Sequence, residues 1–168
     1  QDNTMIFSIF VMQIKLAYIF EDFSLAYQTA LEGEKFIQGG TGVESLPVYY
    51  FYYALSSLAC IKNLSEKEKR KVLKNIKKII KKFKTWATYA PINYQHRLTL
   101  IRAELARVQG NFSKAKTLYD EAIAESHQSK FNSDEAIAWE TAARYYQQTS
   151  QEQLHQVYLK KAFQVYQS

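Results

Sequence analysis

Three kinds of residue in this chain could do chemistry, and each implies a different reaction. The run Gln38-Gly39-Gly40-Thr41-Gly42 has the glycine density of a phosphate-binding loop. Such a loop aims backbone donors at the phosphate and ends in Gly-Lys-Ser/Thr, whereas Val43-Glu44-Ser45 follows here. It therefore reads as a connection between helix pairs. His96, His127 and His155 could ligate a metal or act as general bases. Each stands on a different expected helix, without a second His, Cys or carboxylate at a ligand spacing such as His-Glu-x-x-His, so no metal and no cofactor are expected. Cys60, the only cysteine, lies in the apolar run Leu55 to Ile61 and reads as a small buried hydrophobe. Neither it nor any Ser carries a nucleophile motif, and no catalytic residue is assigned.

Two further groups suit recognition. The stretch from Lys62 to Lys84 holds 11 of the 22 basic residues, against two acidic ones, Glu66 and Glu68. The net charge of +6 is thus a property of one element. Its apolar residues Val72, Ile76, Ile79, Ile80 and Phe83 recur at three- and four-residue spacings, which puts lysines on the opposite face of a helix. Lys71, Lys74, Lys78 and Lys82 are candidate partner-binding residues for an acidic protein, a phosphate or an anionic surface. The plainer alternative is a solvated face, since lysine forms helices well and no arginine-rich or aromatic-interleaved pattern of base readout accompanies it. In the run Tyr49-Tyr50-Phe51-Tyr52-Tyr53, consecutive residues point all round a helix. Tyr50 and Tyr53 are assigned to packing, and Tyr49 and Tyr52 to a partner groove.

The elements that must position these groups are helices. Five glycines and two prolines in 168 residues leave little room for the turns of an all-β fold. Period and punctuation predict about eight helices in four pairs: Thr4 to Phe20 with Asp22 to Ile37, Leu46 to Lys62 with a long helix from Ser65, Pro91 to Val108 with Asn111 to Gln128, and Ser133 to Thr149 with a last helix after Ser150. Ser65-Glu66-Lys67-Glu68 and Ser150-x-x-Gln153 have the form of capping boxes. The apolar stretch Met5 to Phe20 is too short for a membrane span and is interrupted by Gln13 and Lys15, so a buried first helix is expected. The chain opens on Gln1 with no basic leader, and it reads as a fragment of something longer.

A recurring mark joins the pairs: Glu21-Asp22-Phe23-x-x-Ala26, Gly110-Asn111-Phe112-x-x-Ala115 and, more weakly, Ser150 to His155. It resembles the turn of a tetratricopeptide repeat. With Gly110 set on that repeat's glycine, the interface positions are Thr99, Ala103, Ala106, Ala115, Tyr119 and Ala122. With Ser150 there instead, they are Trp139, Ala143, Tyr146, His155, Leu159 and Ala162. The turns near 21, 64, 110 and 150 are more widely spaced than in the usual repeat.

Several strings also resemble one region of the large bacterial signalling kinases that join a serine/threonine kinase, an AAA-type ATPase, helical repeats, a GAF domain and a histidine kinase. They include Glu21-Asp22-Phe23-Ser24-Leu25-Ala26, Val48-Tyr49-Tyr50-Phe51-Tyr52-Tyr53-Ala54-Leu55, Ala90-Pro91-Ile92-Asn93-Tyr94-Gln95-His96-Arg97 and Glu135-Ala136-Ile137-Ala138-Trp139-Glu140-Thr141-Ala142-Ala143-Arg144-Tyr145-Tyr146. The resemblance implies an all-α, right-handed α-α superhelix of tetratricopeptide-like pairs, with residues 1–168 forming a single helical repeat domain near the end of the helical region. It implies a cytoplasmic, non-catalytic scaffold or protein-interaction module whose partner is another protein or a neighbouring domain of the same chain. The lysine-rich segment departs from the family. It supports the alternative of a polyanion adaptor acting through residues 65–87, although nucleic acid and membrane are the less favoured partners.

Overall fold

The computed structural model describes residues 3–40 and 44–168, so Thr41, Gly42 and Val43 of the glycine-rich run lie outside the described residues. Eight α-helices follow one another: α1 (Asn3–Ile19), α2 (Phe23–Gly33), α3 (Ser45–Ala59), α4 (Glu66–Tyr89), α5 (Pro91–Val108), α6 (Phe112–Gln128), α7 (Asn132–Gln148) and α8 (Glu152–Tyr166). Two 3-10 segments, Glu34–Gly40 and Ile61–Asn63, complete the set, and no strand occurs among the described residues. The protein is all-α, with helices packed as sequential pairs, and none of them is long and apolar enough to cross a membrane. The chain forms two compact units, one ending at Ile79 and the other running from Ile80 to Ser168.

In the second unit each of α5, α6 and α7 packs on its successor, and α5 also touches α7. The three turns share one construction. Gly110, Lys130 and Ser150 all have positive φ, from 58° to 75°. At each, the residue after the left-handed one donates its N–H to a carbonyl five positions back: Asn111 to Ala106, Phe131 to Ser126 and Gln151 to Tyr146. This is the Schellman closure, which satisfies carbonyls that the helix end would leave open. Ser150 is therefore the left-handed residue that closes α7 and not the cap of α8; Gln151 takes the capping position, without a side-chain cap bond. Asn111 does cap α6, accepting from the N–H of Lys114 at 3.3 Å.

The seams of this unit are lined with alanine. Thr99, Ala103, Ala106, Ala115, Tyr119 and Ala122 are all buried, as the Gly110 register requires. In the Ser150 register Ala143, Tyr146 and Ala162 are buried, Trp139 and His155 are half-buried, and Leu159 is exposed. Leu159 fails because it lies on the flank of α8, which no further helix covers within this unit.

The first unit is less regular. α1 packs on α2 and α3, and α2 ends at Gly33, short of the expected Ile37, where the chain tightens into 3-10 turns that fold back on α1. A Cβ on Gly40 would stand 2.2 Å from the Phe7 ring, and one on Gly39 would stand 2.4 Å from the Asn3 carbonyl oxygen. In its described part, the glycine density thus permits close packing of backbone on α1. Glu21 closes α1 with φ of 60°, and Asp22 caps α2 by accepting from Leu25 N–H at 3.0 Å. α4 begins with the expected reciprocal cap: Ser65 N–H donates to Glu68 Oε2 at 2.8 Å, and Glu68 N–H donates to Ser65 Oγ at 3.3 Å.

Candidate functional site

Along α4 the three- and four-residue spacing divides the helix as the sequence requires. Val72, Ile76, Ile79 and Phe83 are buried, while Lys71, Lys74, Lys78 and Lys82 are all exposed. The helix therefore presents a row of cations to solvent.

The tyrosine run behaves otherwise. Tyr49 and Tyr52 are only 1% and 2% exposed, so neither faces a groove, and the partner-binding role expected for them is corrected. The Tyr49 hydroxyl donates to the Ala30 carbonyl at 2.7 Å, and its ring lies 5.2 Å from that of Phe7. Tyr52 packs edge-on against Tyr18. Burial, with Glu34 nearby, pushes the Tyr49 phenol well above its ordinary range, so it stays a neutral donor. Tyr53 is buried as expected, but Tyr50 is only half-buried, because α3 is enclosed on nearly every side except that one.

Two buried ionic clusters hold the second unit together, and both join residues distant in sequence. In the first, the Glu104 carboxylate on α5 takes Arg107 Nε at 2.9 Å and Nη2 at 2.8 Å, and also receives the Tyr119 hydroxyl from α6. Arg107 reaches on to Gln148 Oε1 at 3.2 Å, which ties in the end of α7. Burial raises the Glu104 carboxyl, but the charge and hydrogen bonds of Arg107 and the Tyr119 bond outweigh it, and the net direction is down.

In the second cluster Asp134, in the first turn of α7, accepts from His96 Nε2 and from Arg97 Nε, each at 2.7 Å. Burial again opposes its ionisation, and the His96 bond with the Arg97 charge holds it below the usual carboxylate range. A His-Asp pair is how a general base is oriented in nucleophilic enzymes. Here His96 is 1% exposed and sits under Phe131, 5.1 Å ring to ring, which leaves no approach for a substrate. Its role in this geometry is to clamp α5 to α7. No group of three potential metal ligands occurs among the described residues. Cys60 is buried, and burial pushes its thiol up to about 11.

An open groove of about 730 Å³ runs between α6, α7 and α8, bounded by Ile123, His127, Lys130, Trp139, Lys161 and Val165 among others. Its two carboxylates are already engaged. Glu135 accepts from Trp139 Nε1 at 3.3 Å and faces His127 Nδ1 at 3.1 Å, and Asp120 accepts the Tyr158 hydroxyl at 2.7 Å. Lys130 and Lys161 reach the groove with no ion-pair partner among the described residues. The cleft thus offers an apolar wall, an indole and free ammonium groups, a combination suited to a peptide with an apolar anchor between acidic residues. Sequence reasoning named Trp139 here, as a seam residue, and His127, as one of three histidines without a ligand spacing. The one local signal for the rest was that Lys130 falls between two helices. No family model, curated protein or solved structure matches this chain.

Proposed function

We propose that this chain is a non-catalytic, tetratricopeptide-like scaffold whose pairs wind as a right-handed superhelix, and that it serves in the cytoplasm as the protein-interaction region of a multidomain signal-transduction kinase. Its partner, another protein or a neighbouring domain, lays an extended segment into the groove of α6, α7 and α8. The observation that carries the reading is that groove: three consecutive helices supply one continuous wall, with free cations beside Trp139. Stacked repeats bind in this way because the stack fixes the wall and leaves its side chains free to specify the ligand.

The test is fluorescence anisotropy with labelled ten-residue peptides carrying Phe or Leu between glutamates, alongside versions with lysine in place of glutamate. The acidic peptides should bind and the basic ones should not. The double variant Lys130→Glu, Lys161→Glu should bind about tenfold or more weakly with an unchanged circular dichroism spectrum. Equal binding by both proteins would refute the groove. The exposed row Lys71, Lys74, Lys78 and Lys82 supports a second reading, a polyanion adaptor. It would displace the first if polyphosphate bound in a salt-sensitive way that is lost on changing those four lysines to glutamine and kept in the groove variant.

A further inference from the structure

Five ionisable side chains line the groove of α6, α7 and α8: Asp120 and His127 from α6, Lys130 from the turn, Glu135 from α7 and Lys161 from α8. With His127 neutral, two ammonium groups face two carboxylates and their charges cancel. Neutral donors cover those carboxylates, the Tyr158 hydroxyl on Asp120 at 2.7 Å and the Trp139 indole on Glu135 Oε1 at 3.3 Å. The other oxygen of Glu135, Oε2, lies 3.1 Å from His127 Nδ1. The His127 side chain is 78% exposed and that of Glu135 only 10%, so the ring keeps one nitrogen on a held carboxylate and the rest of its surface open to a ligand. His127 also stands in the last turn of α6, where the helix dipole favours a cation.

We infer that, in the groove proposed above as a peptide site, His127 makes binding proton-dependent: protonation of its imidazole gives a balanced groove one excess positive charge and tightens its hold on an acidic segment. Imidazole is the side-chain type that ordinarily changes charge between pH 5 and 8; carboxylate and ammonium types do so outside that interval. Two effects act in one direction. The new charge attracts the carboxylates of the ligand, and the imidazolium completes an ion pair with Glu135, which otherwise repels them. The remaining histidines stand apart from the groove. His96 is buried under Phe131 and bonded to Asp134, and His155 Nδ1 lies 2.9 Å from the Ala143 carbonyl oxygen. One charge in an open groove, partly screened by solvent, changes affinity by about three- to tenfold. By reciprocity, a peptide that binds the protonated form better must draw protons onto the protein.

The experiment measures binding of the labelled peptide with Leu between glutamates, N-acetylated, by anisotropy from about pH 8 to about pH 5.5 at fixed ionic strength. The dissociation constant should fall about three- to tenfold across that series. Calorimetry in buffers of different ionisation enthalpy should show a fraction of a proton taken up per peptide near neutral pH. His127→Gln should remove both the fall and the uptake, and His127→Lys should make affinity independent of pH. His155→Gln should retain the fall, and a peptide with glutamine in place of glutamate should show none. Acidic peptides that bind equally at every pH would overturn the inference and leave the groove as a peptide site, as would a fall that persists in His127→Gln. Absence of binding at every pH would overturn both. Should a variant lose its circular dichroism, the native chain decides, because binding without proton uptake excludes the mechanism.

Discussion

The two units solve the same packing problem with different materials. In the first, the buried polar residues among those described are Ser56 and Ser57, each bonded to a carbonyl of its own helix at 3.2 Å and 3.0 Å, and the volume is filled by Phe7, Tyr18, Tyr27, Tyr49, Phe51, Tyr52 and Tyr53. In the second, alanines let helices approach closely, and the interior holds His96, Glu104, Arg107, Asp134 and Glu135. Close approach leaves little space for large hydrophobes to choose one arrangement over another. Buried ionic clusters make the choice instead, since a shift in register would strand a charge. Irregular segments cannot approach so closely, and rings fill what is left.

The strongest way to break this comparison is to remove one partner of an ionic cluster. Glu104→Ala strands the buried Arg107 guanidinium and should destabilise the second unit by about 3 to 5 kcal/mol, read by denaturant titration of tryptophan fluorescence, because Trp86 and Trp139 both lie in that unit. A loss well under 1 kcal/mol would mean that the alanine seams alone specify the stack.

Acid should separate the units next. Asp134 and Glu104 both have carboxyls held below their ordinary range in the folded state. Their contribution is complete above the unfolded values, roughly pH 4, and is lost as pH falls through the folded ones. The second unit should therefore melt first on acidification, followed by amide exchange of α7 against α1. Asp134→Asn should flatten that acid limb. Equal acid sensitivity of the two units would place the relevant carboxylates elsewhere.

The smallest effect should be common to both units. Glu21 and Ser150 hold left-handed backbone without being glycine, at φ of 60° and 59°. Replacing either by glycine removes strain against a larger entropy loss, for a net gain of about 0.5 to 1 kcal/mol in thermal unfolding. A gain at one site alone would show that the turns are not equivalent.

What could be read from the sequence follows the range of each interaction. The turns at 21, 110 and 150 were legible because left-handed and capping residues act within a few positions. The equivalent turn at Lys130 was not, since lysine and Phe131 carry no local turn chemistry and only the helix ends nearby were expected. The α4 stripe was plain because its apolar period has no competitor among lysines. In the tyrosine run every face is aromatic, so periodicity could not choose, and Tyr49 and Tyr52 went to the wrong side. The His96 and Asp134 pair, and the cations of the groove, depend on helices meeting across more than thirty positions.

The evenly placed turns at 110, 130 and 150 bear on how such a chain can lengthen. Because one junction serves within a pair and between pairs, the chain chemistry does not distinguish the two kinds of joint. Polarity does: a single added helix would reverse the direction of everything after it, whereas two restore it. Duplication or loss that begins at one left-handed residue and ends at the next but one keeps every cap, closure and seam in phase. The heritable step for this architecture is the pair, even though its smallest structural period is the single helix.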